Sequence, residues 1–312
     1  MEKVFLTEHI HPDAVAYLRE NFEVVQGTST ESGEIIRQAQ GCSAILIRSA
    51  KITAEIMDAI PTLKVVAKHG MGVDNIAVDH ATEKGILVVN APFSNLNAVA
   101  EHIVMLLLAL SKRTVQMDQL TRAGQFKERN TYKTIELKGA TVGIIGMGKI
   151  SRLVVKKLSG FEMNILATDP YVKQADVEGL GITMATPEEL YAKSDFVIVH
   201  TSLFPSTFHL VGAEQFKAMK NTAFIINAAR GSAIKQNELV EALKAGEIAG
   251  AGLDVQETEP PAGTNPLYTL ENVILTPHMG WKGQETRQRL LGIIHDDIRS
   301  FFAGTPINVV SQ

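Results

Sequence analysis

The residues of this chain best suited to chemistry lie at the ends of short β-branched runs. Residues 141–146 read as a strand that enters Gly146-Met147-Gly148-Lys149-Ile150-Ser151. Glycines so spaced make a tight turn and let the backbone approach a pyrophosphate, which then rests on the N–H groups of the following helix. Ser151 stands where a third glycine is usual, and that position needs only a small side chain for helix–strand packing. Alone, the pattern equally describes a plain tight turn. Asp169 ends the next strand, at the spacing of a carboxylate that accepts from ribose hydroxyls and repels a 2′-phosphate. Pro170 and Tyr171 follow it with no arginine alongside, which favours NAD over NADP; the alternative is a strand-end acid making a turn.

Three more segments follow strands: Asn227-Ala228-Ala229-Arg230-Gly231, then Asp254-Val255-Gln256-Glu257-Thr258-Glu259-Pro260, then Thr276-Pro277-His278-Met279-Gly280. Ligands of open parallel sheets bind beyond the carboxyl ends of strands, so all three segments point at one crevice. There Arg230 serves as an anion clamp, Glu259 as an orienting acid and His278 as a proton donor. Singly, each has a plainer alternative: a surface ion pair, a solvated loop acid, a capped loop histidine. Together they favour a site.

The elements that must hold these residues alternate along the chain. Strand-like runs at 3–7, 23–26, 44–48, 63–68 and 86–90 are separated by helical stretches at 12–21, 31–40, 53–60 and 78–84. A second series of strands covers 141–145, 164–168, 182–185, 196–200, 223–227, 250–254 and 273–276, with helices at 149–158, 187–192, 213–219 and 236–245. Such alternation predicts an α/β fold of two doubly wound parallel-sheet units. Between the series, 97–112 reads as a long, mostly buried helix, and 113–137 as a polar arm packing on a partner or a solvated connector. At the end, 283–302 is helical, with Leu290, Leu291, Ile294, Ile298, Phe301 and Phe302 on its apolar positions, and 307–310 reads as one more strand.

Composition bounds the function classes. The chain has 312 residues, 45% apolar and 21% charged, with a net charge of −4, as expected of two globular domains. That balance argues against nucleic-acid binding. Cys42 is the single cysteine, which excludes an internal disulfide and a multi-cysteine metal site and fits a reducing compartment. The start lacks the apolar core of a signal peptide, and the longest aliphatic run, 103–110, is far short of the ~20 residues of a membrane helix. A cytoplasmic protein is expected.

Taken together, the sequence resembles the D-isomer-specific 2-hydroxyacid dehydrogenases over essentially its whole length. The motifs that carry the resemblance are His69-Gly70-Met71-Gly72-Val73-Asp74-Asn75-Ile76, the glycine fingerprint with Asp169, Asn-Ala-Ala-Arg-Gly, the 254–260 segment and Thr-Pro-His. The resemblance implies a flavodoxin-like substrate domain of residues 1–98 plus 284–312 and a Rossmann coenzyme domain of 99–283. It implies hydride transfer between NAD(H) and C2 of a small 2-hydroxy or 2-oxo acid, and a homodimer built partly by the arm after Lys112. Arg230, Glu259 and His278 match the family's catalytic set: His278 the acid/base, Glu259 the holder of its imidazole, Arg230 the carboxylate binder. Cofactor contacts are implied for Gly146, Gly148, Lys149, Ile150, Asp169, Thr201, Ala228, Ala229, Arg230, Asp254, His278 and Met71, with Asp254 near the nicotinamide amide. Substrate contacts are implied for Met71, Gly72, Arg230 and Trp281. No metal is implied.

The substrate side chain is less determined. Trp281 and the run 285–290 resemble the glycerate dehydrogenase/hydroxypyruvate reductase type, where an aromatic walls a pocket for a short side chain; a core anchor is the alternative. The glycine turn resembles the phosphoglycerate type, for which Arg48 and Lys68 offer phosphate-binding charge, or are simply solvated. The chain's end soon after Val310 leaves no room for the regulatory domains of many phosphoglycerate dehydrogenases. NAD(H)-sensing corepressors of the same fold form a non-enzymatic alternative. Formate dehydrogenases carry an amide where Glu259 stands, which argues against them.

Overall fold

A computed structural model describes residues 1–310, the side chain of Leu291 excepted. The chain divides into two compact units, Met1–Asn95 with Lys282–Gln312, and Leu96–Trp281.

The first unit is built on five parallel strands: β1 (Lys3–Leu6), β2 (Glu23–Gln26), β3 (Ala44–Ile47), β4 (Val65–Lys68) and β5 (Leu87–Val89), in the order β2-β1-β3-β4-β5. Successive side chains of a strand point to opposite faces, and the strands divide accordingly. Phe5, Ile45, Ile47, Val66 and Val88 pack with Ile35 and Ile56 on one face. Val4, Leu6, Ala44, Leu46, Val65 and Val89 pack with Leu18 on the other. The helix Gln284–Phe302 returns to this second face and inserts Leu290, Ile294 and Ile298, one helical turn apart. Buried on both sides, the inner strands carry continuous apolar runs rather than alternating ones, while the edge strand β2 is half-exposed.

The expected strand at 307–310 is reduced to one antiparallel bridge, Val89 with Val309, flanked by Asn90 N donating to Asn308 O and Val310 N to Val88 O. β5 offers only three residues, and Asn308 adopts a left-handed φ of 52° that bends the chain away from extended pairing.

The second unit carries seven parallel strands: β6 (Thr141–Ile145), β7 (Asn164–Thr168), β8 (Ile182–Met184), β9 (Phe196–Val199), β10 (Phe224–Asn227), β11 (Gly250–Leu253) and β12 (Val273–Leu275), in the order β12-β11-β10-β9-β6-β7-β8. The chain runs outward from β6 to β8, then resumes at β9 on the other side of β6. The switch point between β6 and β9 is where loops from neighbouring strands diverge and a ligand crevice opens.

The helix Leu96–Ser111 buries Val99, Ala100, Ile103, Leu106, Leu107 and Leu110, and passes so close to β11 that a Cβ on Gly252 would lie 3.0 Å from Leu110. The helix is mostly buried or half-buried, as expected, with Asn97, Glu101 and Met105 exposed on the opposite face. The polar stretch 113–137 is not a plain loop. It contains a helix, Thr114–Arg122, and a short 3₁₀ turn, Phe126–Asn130. Arg113 breaks away from the preceding helix with φ 52° and lays its guanidinium over the Phe224 ring, while buried Gln116 donates to Glu271 O. Those anchors explain why the charged sequence folds there. Among the described residues no helix is long and apolar enough to cross a membrane.

Candidate active site at the strand ends

The sheet order of the second unit sets the candidate residues side by side. Running from β12 to β7, the carboxyl ends carry His278, the segment from Asp254 to Glu259, Arg230, Thr201, the fingerprint glycines and Asp169.

At the switch point, a Cβ on Gly146 would lie 2.5 Å from His200 O, and its φ of 93° already favours glycine. Gly148 is the N-cap of the helix Lys149–Leu158, with no side-chain cap and open space where a Cβ would stand. Lys149 and Ile150 are therefore the first residues of an uncapped helix, whose leading N–H groups suit an anion. Ser151 explains the departure from a third glycine: it is buried, and its hydroxyl donates to Gly146 O at 2.6 Å. Just after β7, Asp169 accepts from Met147 N at 2.8 Å through Oδ2 and from Tyr171 N at 2.8 Å through Oδ1. Thr201 Oγ1 and His200 Nδ1 are buried without partners among the described residues. Burial, helped by the Arg230 guanidinium, holds His200 near a pKa of about 4 and hence neutral. An open helix terminus, a glycine cradle and an orphaned hydroxyl fit a dinucleotide phosphate.

On β10, Asn227 is buried and uses both ends of its amide. Oδ1 accepts from Ala229 N at 3.0 Å and Nδ2 donates to Arg230 O at 2.9 Å, which fixes the turn through Ala228. Arg230 Nη1 donates to Ala229 O at 2.8 Å. Gly231 is obligatory: a Cβ there would sit 1.9 Å from Gln256 O, so the Arg230 turn lies directly against the loop leading to Glu259. That loop is anchored twice more. Glu257 stands 2.5 Å from His209 Nε2 and accepts from Gln236 N at 3.0 Å.

Glu259 accepts from Gln256 N at 3.0 Å through Oε1, and its Oε2 is 2.6 Å from Nδ1 of His278. A carboxylate at Nδ1 requires a proton there, so Nε2 accepts in the neutral ring and donates in the imidazolium. Both side chains are partly exposed, His278 at 49% and Glu259 at 35%, so the pair is reachable by a ligand. His278 sits at φ 48°, its N–H shared between Asp254 O and Thr276 O, and its own carbonyl accepts from Trp281 Nε1 at 3.0 Å. Trp281 is thus tied to the histidine loop itself.

Asp254 is buried just after β11. Both its oxygens serve the loop that carries His278. Oδ1 accepts from Thr276 Oγ1 at 2.6 Å and Met279 N at 2.9 Å, and lies 3.2 Å from His102 Nε2; Oδ2 accepts from Gly280 N at 2.7 Å. Burial pushes this carboxyl up, but His102, Thr276 and the two N–H groups outweigh it and hold the pKa at about 2. It is a buried hub behind the loop that carries His278. His102, Thr276 and Asn227 belong to this machinery without having been singled out. The signal for His102 was a lone histidine in an otherwise apolar helix; Thr276 and Asn227 already lay within the motifs.

Met71 and Gly72 follow β4 in the other unit. Gly70 O accepts from Ala91 N at 2.9 Å and Met71 O from Asn90 Nδ2 at 2.5 Å, while the N–H groups of Met71, Gly72 and Val73 have no partner among the described residues. Lys68 Nζ donates to Arg48 O at 2.5 Å and Asn75 Oδ1 at 2.7 Å. Arg48 has an exposed side chain, and its N–H donates to Glu8, which also accepts from Ser49 N and Ala50 N. A carboxylate already holds these strand ends. Among the described residues no group of three or more His, Cys, Asp or Glu is arranged to hold a metal.

Known proteins resemble this chain in sequence and fold. Residues 104–280 match the model of the D-isomer specific 2-hydroxyacid dehydrogenase NAD binding domain. A D-3-phosphoglycerate dehydrogenase of Archaeoglobus fulgidus is 39% identical over 307 residues, which cover 98% of this chain but 58% of the relative. A glyoxylate reductase of Korarchaeum cryptofilum is 36% identical, covering 99% of this chain and 96% of the relative. Among solved structures, an NADPH-dependent glyoxylate/hydroxypyruvate reductase of Sinorhizobium meliloti in complex with NADP and malonate superposes with a TM-score of 0.90 at 30% identity, covering 99% of this chain and 97% of that one. The match spans more than half of the chain, and a relative above 30% identity is covered almost end to end. The chain belongs to the D-isomer specific 2-hydroxyacid dehydrogenase family.

Proposed function

We propose that the protein is an NAD-dependent oxidoreductase that interconverts a small 2-oxo acid and its D-2-hydroxy acid, with hydroxypyruvate or glyoxylate as the acid reduced. The observation that carries this reading is the 2.6 Å contact between His278 Nδ1 and Glu259, in the same sheet as the fingerprint and Asp169. When bound, the nicotinamide supplies or accepts the hydride. Arg230 binds the substrate carboxylate, and its charge favours the oxyanion that develops at C2. Protonated His278 gives its Nε2 proton to that oxygen, and neutral His278 takes it back in oxidation. Glu259 keeps the ring oriented with its proton on Nδ1. In the other unit, the unpartnered N–H groups of residues 71–73 suit a carboxylate. Asp169, with exposed Tyr171 beyond it and no arginine alongside, favours NAD over NADP.

A phosphoglycerate dehydrogenase is the second reading, favoured by the Archaeoglobus relative. Lys68, tied to Arg48 O and Asn75, and the Glu8 carboxylate at the same strand ends argue for an unphosphorylated acid. We further infer a homodimer, supported by an exposed apolar groove of about 500 Å³ along Val104, Met105 and Leu108. Buried Cys42 suits the reducing cytoplasm.

The deciding experiment is reduction of hydroxypyruvate, glyoxylate and 3-phosphohydroxypyruvate with NADH and NADPH, by wild type and His278→Ala. We expect the two unphosphorylated acids with NADH to give the highest kcat/KM, and the variant to lose about 10²–10⁴-fold in turnover. A phosphorylated acid winning by more than about tenfold, ~1.4 kcal/mol, selects the second reading. Near-normal turnover by the variant removes His278 from the mechanism.

A further inference from the structure

The C-terminal strap of the first unit reaches the turn proposed to receive the substrate carboxylate, through four linked residues. Asn308 Nδ2 donates to Asp297 Oδ1 at 2.8 Å, and Asp297 is only 1% exposed on the inner face of the helix Gln284–Phe302. Asn308 O accepts from Asn90 N at 3.2 Å, and Asn90 Nδ2 donates to Met71 O at 2.5 Å. Next along the chain, Ala91 N donates to Gly70 O at 2.9 Å. The carbonyls of Gly70 and Met71 are therefore both drawn toward the end of β5, and a planar peptide whose carbonyl is fixed has its N–H fixed too. The N–H groups of Met71 and Gly72 belong to those same peptides, and they have no other partner among the described residues. Asn90 sets the turn, and Asn308 sets Asn90.

We propose that Asn308, held by Asp297, is a positioning residue for substrate binding: it aligns the Gly70–Gly72 peptides without touching the substrate. The inference rests on the proposed role of that turn. The left-handed φ of 52° at Asn308 supports it, because this backbone turns the amide inward to a buried acid while the carbonyl still faces Asn90. An extended strap would leave the side chain to solvent or to the sheet face. Asn308 is thus shaped as a tie between helix and strand end rather than as a strand residue.

The test uses Asn308→Gly, which keeps the left-handed backbone and the carbonyl but removes the amide. With saturating NADH, KM for the preferred 2-oxo acid should rise about tenfold, the order of one hydrogen bond. Turnover at saturation should stay within about threefold, and the dissociation constant of NADH should not move, since uniform binding of the acid is what is lost. Asp297→Leu should reproduce the KM change, and Asp297→Asn, which still offers a carbonyl to Asn308, should restore it. An activity-free readout accompanies these measurements: amide hydrogen exchange at residues 71–73 should quicken in Asn308→Gly and Asp297→Leu but not in Asp297→Asn. Unchanged KM and unchanged exchange in a folded Asn308→Gly overturn the proposal. If the wild type reduces no 2-oxo acid, the proposed function fails, while the exchange measurement still decides whether Asn308 holds the turn.

Discussion

Replacing Asp254 with asparagine tests whether this carboxylate is the hub that holds the His278 loop. The side chain is 2% exposed and its pKa lies at about 2 instead of 3.8. At about 1.4 kcal/mol per pH unit, that difference corresponds to about 2 kcal/mol of stability at neutral pH. The asparagine amide has one oxygen, whereas the carboxylate serves Met279 N on one side and Gly280 N on the other. Whichever way the amide turns, its NH₂ faces a backbone N–H, and one buried donor is left unpaired at a cost of about 1–3 kcal/mol. These two figures overlap, so the variant should lose about 2–4 kcal/mol, which moves a urea midpoint down by about 1 M or more.

Trp281 is the single tryptophan, and its indole is bonded to His278 O, so its fluorescence reports on this loop during unfolding. A depressed carboxyl stabilises above its unfolded pKa, and the contribution disappears as pH falls through the folded value. The midpoints of wild type and Asp254→Asn should therefore differ fully at pH 7 and pH 5 and converge only between about pH 4 and 2. Turnover should fall about a hundredfold, the usual effect of displacing a reacting group by an ångström. A variant as stable as wild type at pH 7, with unchanged turnover, refutes the hub.

Two further outcomes are expected. Asp169→Ala combined with Tyr171→Arg should shift the ratio of kcat/KM for NADH and NADPH toward NADPH, because the repelling carboxylate is replaced by a cation that pairs with a 2′-phosphate; an unaltered ratio would place ribose recognition elsewhere. Burial, reinforced by Asp296 and opposed by the Asn308 hydrogen bond, pushes Asp297 up to about 7. The folded state then holds a proton that the unfolded chain gives up above 3.8, so this group's contribution declines as pH rises from about 4 to 7. Asp297→Asn should accordingly be more stable than wild type at pH 8, by up to about 4 kcal/mol, and indistinguishable near pH 4, as read by thermal unfolding.

The parallel sheets were legible because their strands are short, continuously apolar and punctuated by glycine and proline, and the reacting residues because each follows such a strand. What escaped the sequence is what depends on partners far away in the chain. Asp254 ends a strand in the way a ligand-binding acid would, and nothing local reveals that His102, Thr276 and two backbone N–H groups claim both its oxygens. Lys68 reads as a cation at a strand end, and nothing local reveals that its ammonium donates to Asn75 and the Arg48 carbonyl. Residues 113–122 have a polar composition that suggests a loop, but a helix forms because Gln116 and Arg113 find backbone acceptors and a ring on distant segments.

The order of strands in the larger sheet also bears on how its parts can vary. Glu259 follows β11 and Asp169 follows β7, with β10, β9 and β6 between them. At ~4.8 Å per strand interval, four intervals separate the two loops by about 19 Å. Changes that far apart, sharing no partner, combine additively in free energy. Coenzyme preference and proton chemistry are therefore separable traits in this scaffold, free to be altered one at a time or together without mutual penalty. The Arg230 turn has no such freedom: it lies against the loop of Glu259 with room for nothing beyond the hydrogen of Gly231, so those two segments can change only as a pair.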